Sequence, residues 1–282
     1  MDRCYIGPAM TMTRDPAHTT HLPAPEPYPP AARRTDEHAG NRPTVVVTGA
    51  GSGLGEACAL RMAARGWTVL ALGRRLHELE RVARLAPAGS VVPLACDVRR
   101  PEAMVEALHS VRGCHGGHVH GVVHSAGVLH IATPEGQLGT WDQVMDTNVK
   151  GAVSLTLALQ PLMPVGSSVV FISSVSGLVA SRLRLAYGAS KAAINHITRL
   201  LAVELAPRIR VNAVAPGPVD TPMATSGHSA EMRRVYLERT PIGRYVSAFE
   251  VARAVEFFLE PGMLGITGQV MAVDGGFSVA GI

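Results

Sequence analysis

The sequence predicts an α/β fold: a doubly wound, seven-stranded parallel sheet with helices on both faces. Three observations predict it. Short Val-rich runs alternate with longer helical patterns from Arg42 onward. The runs are apolar almost throughout, as strands buried on both faces must be. Each pair of runs is separated by enough chain for a crossover, which parallel neighbours require. With 282 residues, 47% hydrophobic and only 17% charged, the chain has the apolar material for one large core or two small ones, and length leaves one domain as the default.

Taken in order, residues 1–42 stand apart. They carry the run HLPAPEPYPP and scattered Thr, Arg and His without apolar periodicity, so they bury too little surface to order themselves. A disordered tail without catalytic function is expected there, followed by one domain over 43–282. The predicted strands are Val45–Thr48, Thr68–Leu72, Val91–Ala95, Val119–Val123, Val169–Ile172, Val211–Val214 and Val270–Val273, with a first helix from about Leu54 to Arg65. No internal repeat interrupts the alternation.

Composition narrows the function. The formal net charge is only +4 and the basic residues are dispersed, so a nucleic-acid partner is not expected. The four cysteines lie far apart with no CxxC pair, which points away from a disulfide framework or zinc site and toward a reducing, cytoplasmic setting. Neither a membrane-spanning apolar run nor the apolar stretch of a signal peptide is seen, so no membrane partner is expected.

Directly after the first strand run comes Thr48-Gly49-Ala50-Gly51-Ser52-Gly53-Leu54-Gly55, and a helical pattern begins at once. Glycines there let backbone approach a pyrophosphate, while the helix N-terminus offers unpaired N–H donors and the positive end of a dipole. The GxxxGxG spacing of Gly49, Gly53 and Gly55 differs from the GxGxxG fingerprint. It resembles the TGxxxGxG motif of the short-chain dehydrogenase/reductase family, and the resemblance runs from Pro43 to the C-terminus. It implies a Rossmann fold, with Gly49, Ser52, Gly53, Leu54 and Gly55 around the pyrophosphate of a nicotinamide cofactor.

The second strand ends in Leu72-Gly73-Arg74-Arg75, where an acid would favour NAD; an arginine suits a 2′-phosphate instead. The resemblance therefore favours NADP(H) through Arg74, with NAD(H) as the alternative. Both arginines are alternatively solvated residues opening the next helix. Asp97-Val98 matches the family's adenine contact, or Asp97 caps a turn. Where the family usually has NNAG the chain has His124-Ser125-Ala126-Gly127, which keeps the small Ala-Gly pair beside the cofactor but leaves the contacts of His124 and Ser125 open.

Tyr187 and Lys191 lie four residues apart in a helical stretch, so both emerge on one face. A phenol ionises near pH ~10, and a nearby ammonium favours the phenolate, so Lys191 is expected to tune Tyr187 as an acid or base. Ser174 ends the fifth strand run thirteen positions before Tyr187, the family's spacing for its catalytic serine; Ser173 and Ser176 are rivals by type. Asn148, in Asp146-Thr147-Asn148-Val149-Lys150-Gly151, resembles the family's asparagine that holds a water for proton relay to the lysine. The lysine is also expected to hold the nicotinamide ribose. Pro216, Gly217, Val219 and Thr221 match the PGxxxT loop, which implies carboxamide contacts from the Val219 backbone and the Thr221 hydroxyl.

The cluster Cys114, His115, His118 and His120 fits no common zinc spacing, and no metal is expected. Selectivity is expected from the loops at Leu178–Leu185 and Met223–Tyr245. The segments Thr240–Arg244 and Asp274–Gly276 resemble the 3-oxoacyl carrier-protein reductase branch. Arg182, Arg184, Arg208 and Arg210 are then candidates to meet an acidic carrier, or are scattered surface charge. The expected activity is ketone–secondary alcohol interconversion on a small-molecule or carrier-bound carbonyl substrate, by a homotetramer or homodimer. The competing readings are an NAD-dependent dehydrogenase of a small or cyclic secondary alcohol, and a nicotinamide sensor without turnover.

Overall fold

The computed structural model describes residues 42–100 and 117–280; the expected tail, and Cys114 and His115 of the His-rich segment, lie outside them. In chain order the elements are β1 (Thr44–Thr48), α1 (Gly53–Ala64), β2 (Thr68–Gly73), α2 (Leu76–Leu85), β3 (Val91–Ala95) and β4 (Gly121–His124). Then come α3 (Pro134–Leu138), α4 (Trp141–Met145), a π-helical turn (Asp146–Lys150), α5 (Gly151–Leu159) and β5 (Ser167–Ile172). The last part holds α6 (Leu185–Glu204), β6 (Ile209–Pro216), α7 (Pro222–Gly227), α8 (Ala230–Arg239), α9 (Ala248–Leu259) and β7 (Val270–Val273).

Successive side chains of a strand point to opposite faces, so a strand apolar at every position feeds two cores. Val45 and Val47 of β1 join one core with Cys58 and Met62 of α1, Leu79 and Val82 of α2, and Val251, Val255 and Phe258 of α9. Val46 joins the other, with Leu155 and Leu159 of α5 and Ile194 and Leu201 of α6. Helices therefore cover both faces of the sheet, as expected.

All seven strands are parallel, in the order β3-β2-β1-β4-β5-β6-β7. The order reverses beside β1, whose Val45 pairs with Val69 on one side and Gly121 on the other. A crevice opens beyond the C-terminal ends of strands at such a switch point, and that is where open α/β sheets bind ligands. The fourth strand starts two residues later than expected, because Val119 donates to Leu162 outside the ladder.

Candidate active site

The loop after β1 owes its shape to two glycines. Gly49 sits at φ +66°, and a Cβ there would come within 2.9 Å of Ala126 backbone. At Gly55 an added Cβ would overlap the Gly49 carbonyl, so α1 packs directly on the loop that precedes it. Thr48 fastens the other side, its Oγ1 accepting from the Ser125 and Ala126 amides at 3.1 and 3.0 Å. Ser52 is the N-cap of α1 yet makes no side-chain cap bond, which leaves the first N–H groups of the helix without that partner.

A clamp unforeseen in the sequence holds this loop from behind. Arg81 of α2 makes a bidentate pair with Glu56 of α1 at 2.9 and 2.7 Å, a third bond to Glu78, and a fourth to the Gly51 carbonyl at 3.1 Å. Glu56 and Glu78 belong to different helices, and helical spacing reveals only the Glu78–Arg81 part of the set.

At the far end of the cavity Arg74 and Arg75 are exposed. Asp97 pairs with Arg99 at 2.7 Å and accepts the Arg99 amide at 3.0 Å, so it closes a turn while also lining the cavity. The Arg99 hydrogen bond, with Arg74 adding at longer range, holds the Asp97 carboxyl below the usual range.

The opposite end is built on β5 and α6. Ser174 caps the short turn after β5 by accepting the Ser176 amide at 3.1 Å, and its hydroxyl also meets the Tyr187 phenol. Ser173 is turned into the core, bonded to Asn195 Oδ1 at 2.5 Å, and Ser176 faces Ser181, which leaves Ser174 beside Tyr187. Lys191 is buried, donates to the Ile172 carbonyl at 2.8 Å, and sits 5.5 Å from the Tyr187 ring centre. Asn148 lies in the π-helical turn, not a regular helix. Its amide grips the Val128 backbone from both sides, at 2.8 and 3.0 Å, and donates to Ser190 at 3.0 Å.

Burial sets the electrostatics of the pair. It is the largest influence on Tyr187 and pushes its phenol up; the Ser174 hydrogen bond and then the Arg184 charge pull it back. Burial also lowers Lys191 to about 8, which leaves its ammonium, 5.5 Å from the Tyr187 ring centre, mostly protonated near pH 7. Arg184 is thus a second cation beside the phenol.

The loop after β6 is pinned by Val219 pairing with Val246, and Gly217 lies so close to Asp274 that a Cβ would come within 2.8 Å of its Cα. Asp274 accepts from the Gly276 and Ser278 amides, a turn that delivers Phe277 to the cavity. Phe277 meets Tyr236, Tyr236 stacks under Arg184, and Arg184 donates to His228 at 3.2 Å. Ser181, Arg184, Met223, His228 and Tyr236 come from the two loops expected to set selectivity.

One expectation is corrected, and one contact left open by the sequence is placed. Arg210 is only 5% exposed and donates to the Glu260 and Ile266 carbonyls, so it is core and cannot meet a carrier; charge alone had marked it as surface. His124 is also core: it stacks on Phe171, bonds Thr156 at 2.8 Å, and is held neutral by burial, its value near 3.

One cavity of about 320 Å³ collects Gly49, Ser52, Gly53, Leu54, Arg74, Asp97, Val98, Ser125, Ala126, Gly127, Ser174, Tyr187, Lys191, Pro216, Gly217, Val219 and Thr221. Only Gly55 and Asn148 of the expected residues stand behind its wall, Gly55 packing the loop and Asn148 holding the Gly127–Val128 backbone. The cavity suits a nicotinamide dinucleotide: an uncapped helix N-terminus and bare glycine backbone at the middle, exposed arginines at one end, and at the other a buried ammonium with unused donors.

Comparison with known proteins agrees. The family described as enoyl-(acyl carrier protein) reductase matches residues 49–278. A short-chain type dehydrogenase/reductase from Mycobacterium ulcerans is 31% identical, covering 86% of this chain and 91% of that one, with a TM-score of 0.80. The chain belongs to the short-chain dehydrogenase/reductase family. As a short-chain dehydrogenase/reductase it is an oxidoreductase of the CH–OH and ketone pair. Among similar members of that family is galactitol 2-dehydrogenase (L-tagatose-forming) from Cereibacter sphaeroides, 36% identical over 83% of this chain and 94% of that protein. Another is 3-ketoacyl-(acyl-carrier-protein) reductase from Brucella melitensis, complexed with NADH, 28% identical over 84% of this chain and 99% of that one, TM-score 0.78. Among the described residues no helix is long and apolar enough to cross a membrane.

Proposed function

We propose that the protein is an NADP(H)-preferring ketoreductase of the 3-oxoacyl or polyketide-like type, with Tyr187 as the proton donor to the substrate oxygen. The observation that carries this is Tyr187 on the cavity wall, hydrogen-bonded to Ser174 and within one turn of buried Lys191. When bound, the nicotinamide supplies the hydride that the carbonyl carbon accepts, or takes one from the alcohol in reverse.

The chain's residues divide the remaining work. The α1 N-terminus, with Gly49, Ser52, Gly53 and Leu54, holds the pyrophosphate; Arg74 faces the 2′-phosphate, and Asp97 and Val98 border the adenine. Lys191 holds the nicotinamide ribose, while Val219 and Thr221 hold the carboxamide. Ser174 fixes the substrate oxygen, and Tyr187, neutral because burial raises its phenol, gives that oxygen its proton. Asn148 keeps the backbone beside Lys191 in place.

Tyr187→Phe is expected to lower kcat by at least about a thousandfold while cofactor binding, followed by fluorescence titration, persists; near-normal turnover would end the assignment. The NADP preference rests on Arg74: substitution by Asp is expected to shift the kcat/KM ratio toward NAD, and an unchanged ratio would remove Arg74 from the site. A second reading, a dehydrogenase of a small polyhydric or cyclic alcohol using NAD, is favoured by the 36% identity to galactitol 2-dehydrogenase. We further propose a cytoplasmic homotetramer or homodimer; the exposed Leu200 and Val203 of α6 support a subunit contact through that helix.

A further inference from the structure

We infer that the substrate carries a free carboxylate, seated on Arg184, so that the physiological ketone is an oxo acid rather than a neutral acyl chain. The inference rests on the reading of Tyr187 as the proton donor and, within the ketoreductase reading, selects a free oxo acid over a carrier-bound 3-oxoacyl chain.

Arg184 immediately precedes α6, three residues before Tyr187, and lines the same cavity. It is half-buried, and its guanidinium lies 5.7 Å from the centre of the Tyr236 ring, a cation–π contact. One donor goes to His228 Nε2 at 3.2 Å. That bond requires Nε2 to be the bare nitrogen, so the His228 proton sits on Nδ1 and faces the Tyr245 hydroxyl at 3.1 Å. His228 is therefore a neutral brace, and Arg184 is the cation it turns toward the cavity lining.

No carboxylate among the described residues pairs with Arg184, although Asp220 pairs with Arg233 close by, and elsewhere Glu250 pairs with Arg244 and Asp97 with Arg99. A guanidinium carries five donors in a planar fork that matches a carboxylate. Here the fork is held by Tyr236 and His228 and lines the same cavity as the phenol that protonates the ketone. Arg233 lies over the Tyr245 ring and Arg239 over the Phe277 ring, so the mouth is positive as a whole, and Arg184 is the one of these three that lines the cavity.

The test compares straight-chain oxo acids of four to eight carbons with their methyl esters, using the full chain with NADPH. The wild-type protein is expected to favour the acid by at least about tenfold in kcat/KM, carried mainly by KM. In Arg184→Gln the acid-to-ester ratio is expected to fall by about 10- to 100-fold, with Arg184→Lys intermediate. Calorimetric titration of the same acids into Tyr187→Phe protein, with and without Arg184→Gln, reads binding apart from turnover. Equal use of acids and esters by wild type, an unchanged ratio in Arg184→Gln, or no binding of any acid to Tyr187→Phe protein would each overturn the inference. Undiminished turnover by Tyr187→Phe would instead overturn the underlying reading of the proton donor.

Discussion

Tyr187 and Lys191 share one enclosure and answer it in opposite senses. Desolvation disfavours charge, so it raises the phenol and lowers the ammonium, leaving each closer to neutral than in water. For Lys191 the sign for stability follows. Between about 8 and its ordinary 10.5 the unfolded chain holds a proton on this lysine that the folded chain does not, so stability rises with pH across that window. Below it, the folded protein carries a buried charge relieved only by the Ile172 carbonyl. Lys191→Met is accordingly expected to melt higher than wild type near pH 7, with the difference shrinking as the pH approaches 10.5; parallel melting curves across that range would refute the burial cost. At this scale Tyr187, Lys191 and Ser174 were legible because their chemistry depends on sequence spacing along one helix and one strand end. His228 bracing Arg184 was not: residues 184 and 228 meet only through tertiary folding.

Between elements, the Arg81 clamp joins two helices and a loop that bind nothing alone. With Arg81 removed, Glu56 and Glu78 repel each other and the Gly51 carbonyl loses a donor, so the loop shifts under the pyrophosphate. Arg81→Met is expected to raise the cofactor KM by roughly 3- to 10-fold with a smaller change in kcat, as for a group acting on binding; an effect confined to kcat would contradict this. Gly55→Ala acts more severely, since its methyl group meets backbone rather than a mobile side chain. Strand positions were legible because burial on both faces writes continuous apolar runs. Arg210 was misread for a related reason: one charged residue near the start of such a run gives no sign that β6 and the 260–266 segment enclose it. The π-helical turn at Asn148 was also unreadable, since its extra residue per turn leaves the apolar pattern intact.

For the whole molecule, the parallel order and the site at its switch point followed from the alternation and the glycine loop, and the two mouth loops from their position, while the contacts among Arg184, His228, Tyr236 and Phe277 did not, because they join segments far apart in sequence. The cavity-lining positions among the described residues all fall between Gly49 and Phe277. A chain beginning at Pro43 is therefore expected to retain kcat/KM within about twofold, and a large loss on truncation would give the tail a role. The sheet's reversal beside β1 has one more consequence. β1 to β3 border the arginine end of the cavity, and β4 to β7 carry the phenol and the ammonium. A dinucleotide reaching from one end to the other adds a bridge between two halves already joined along the β1–β4 seam and by the packing of α1 on α9. Its occupancy should thus register as resistance to unfolding, growing with the logarithm of its concentration.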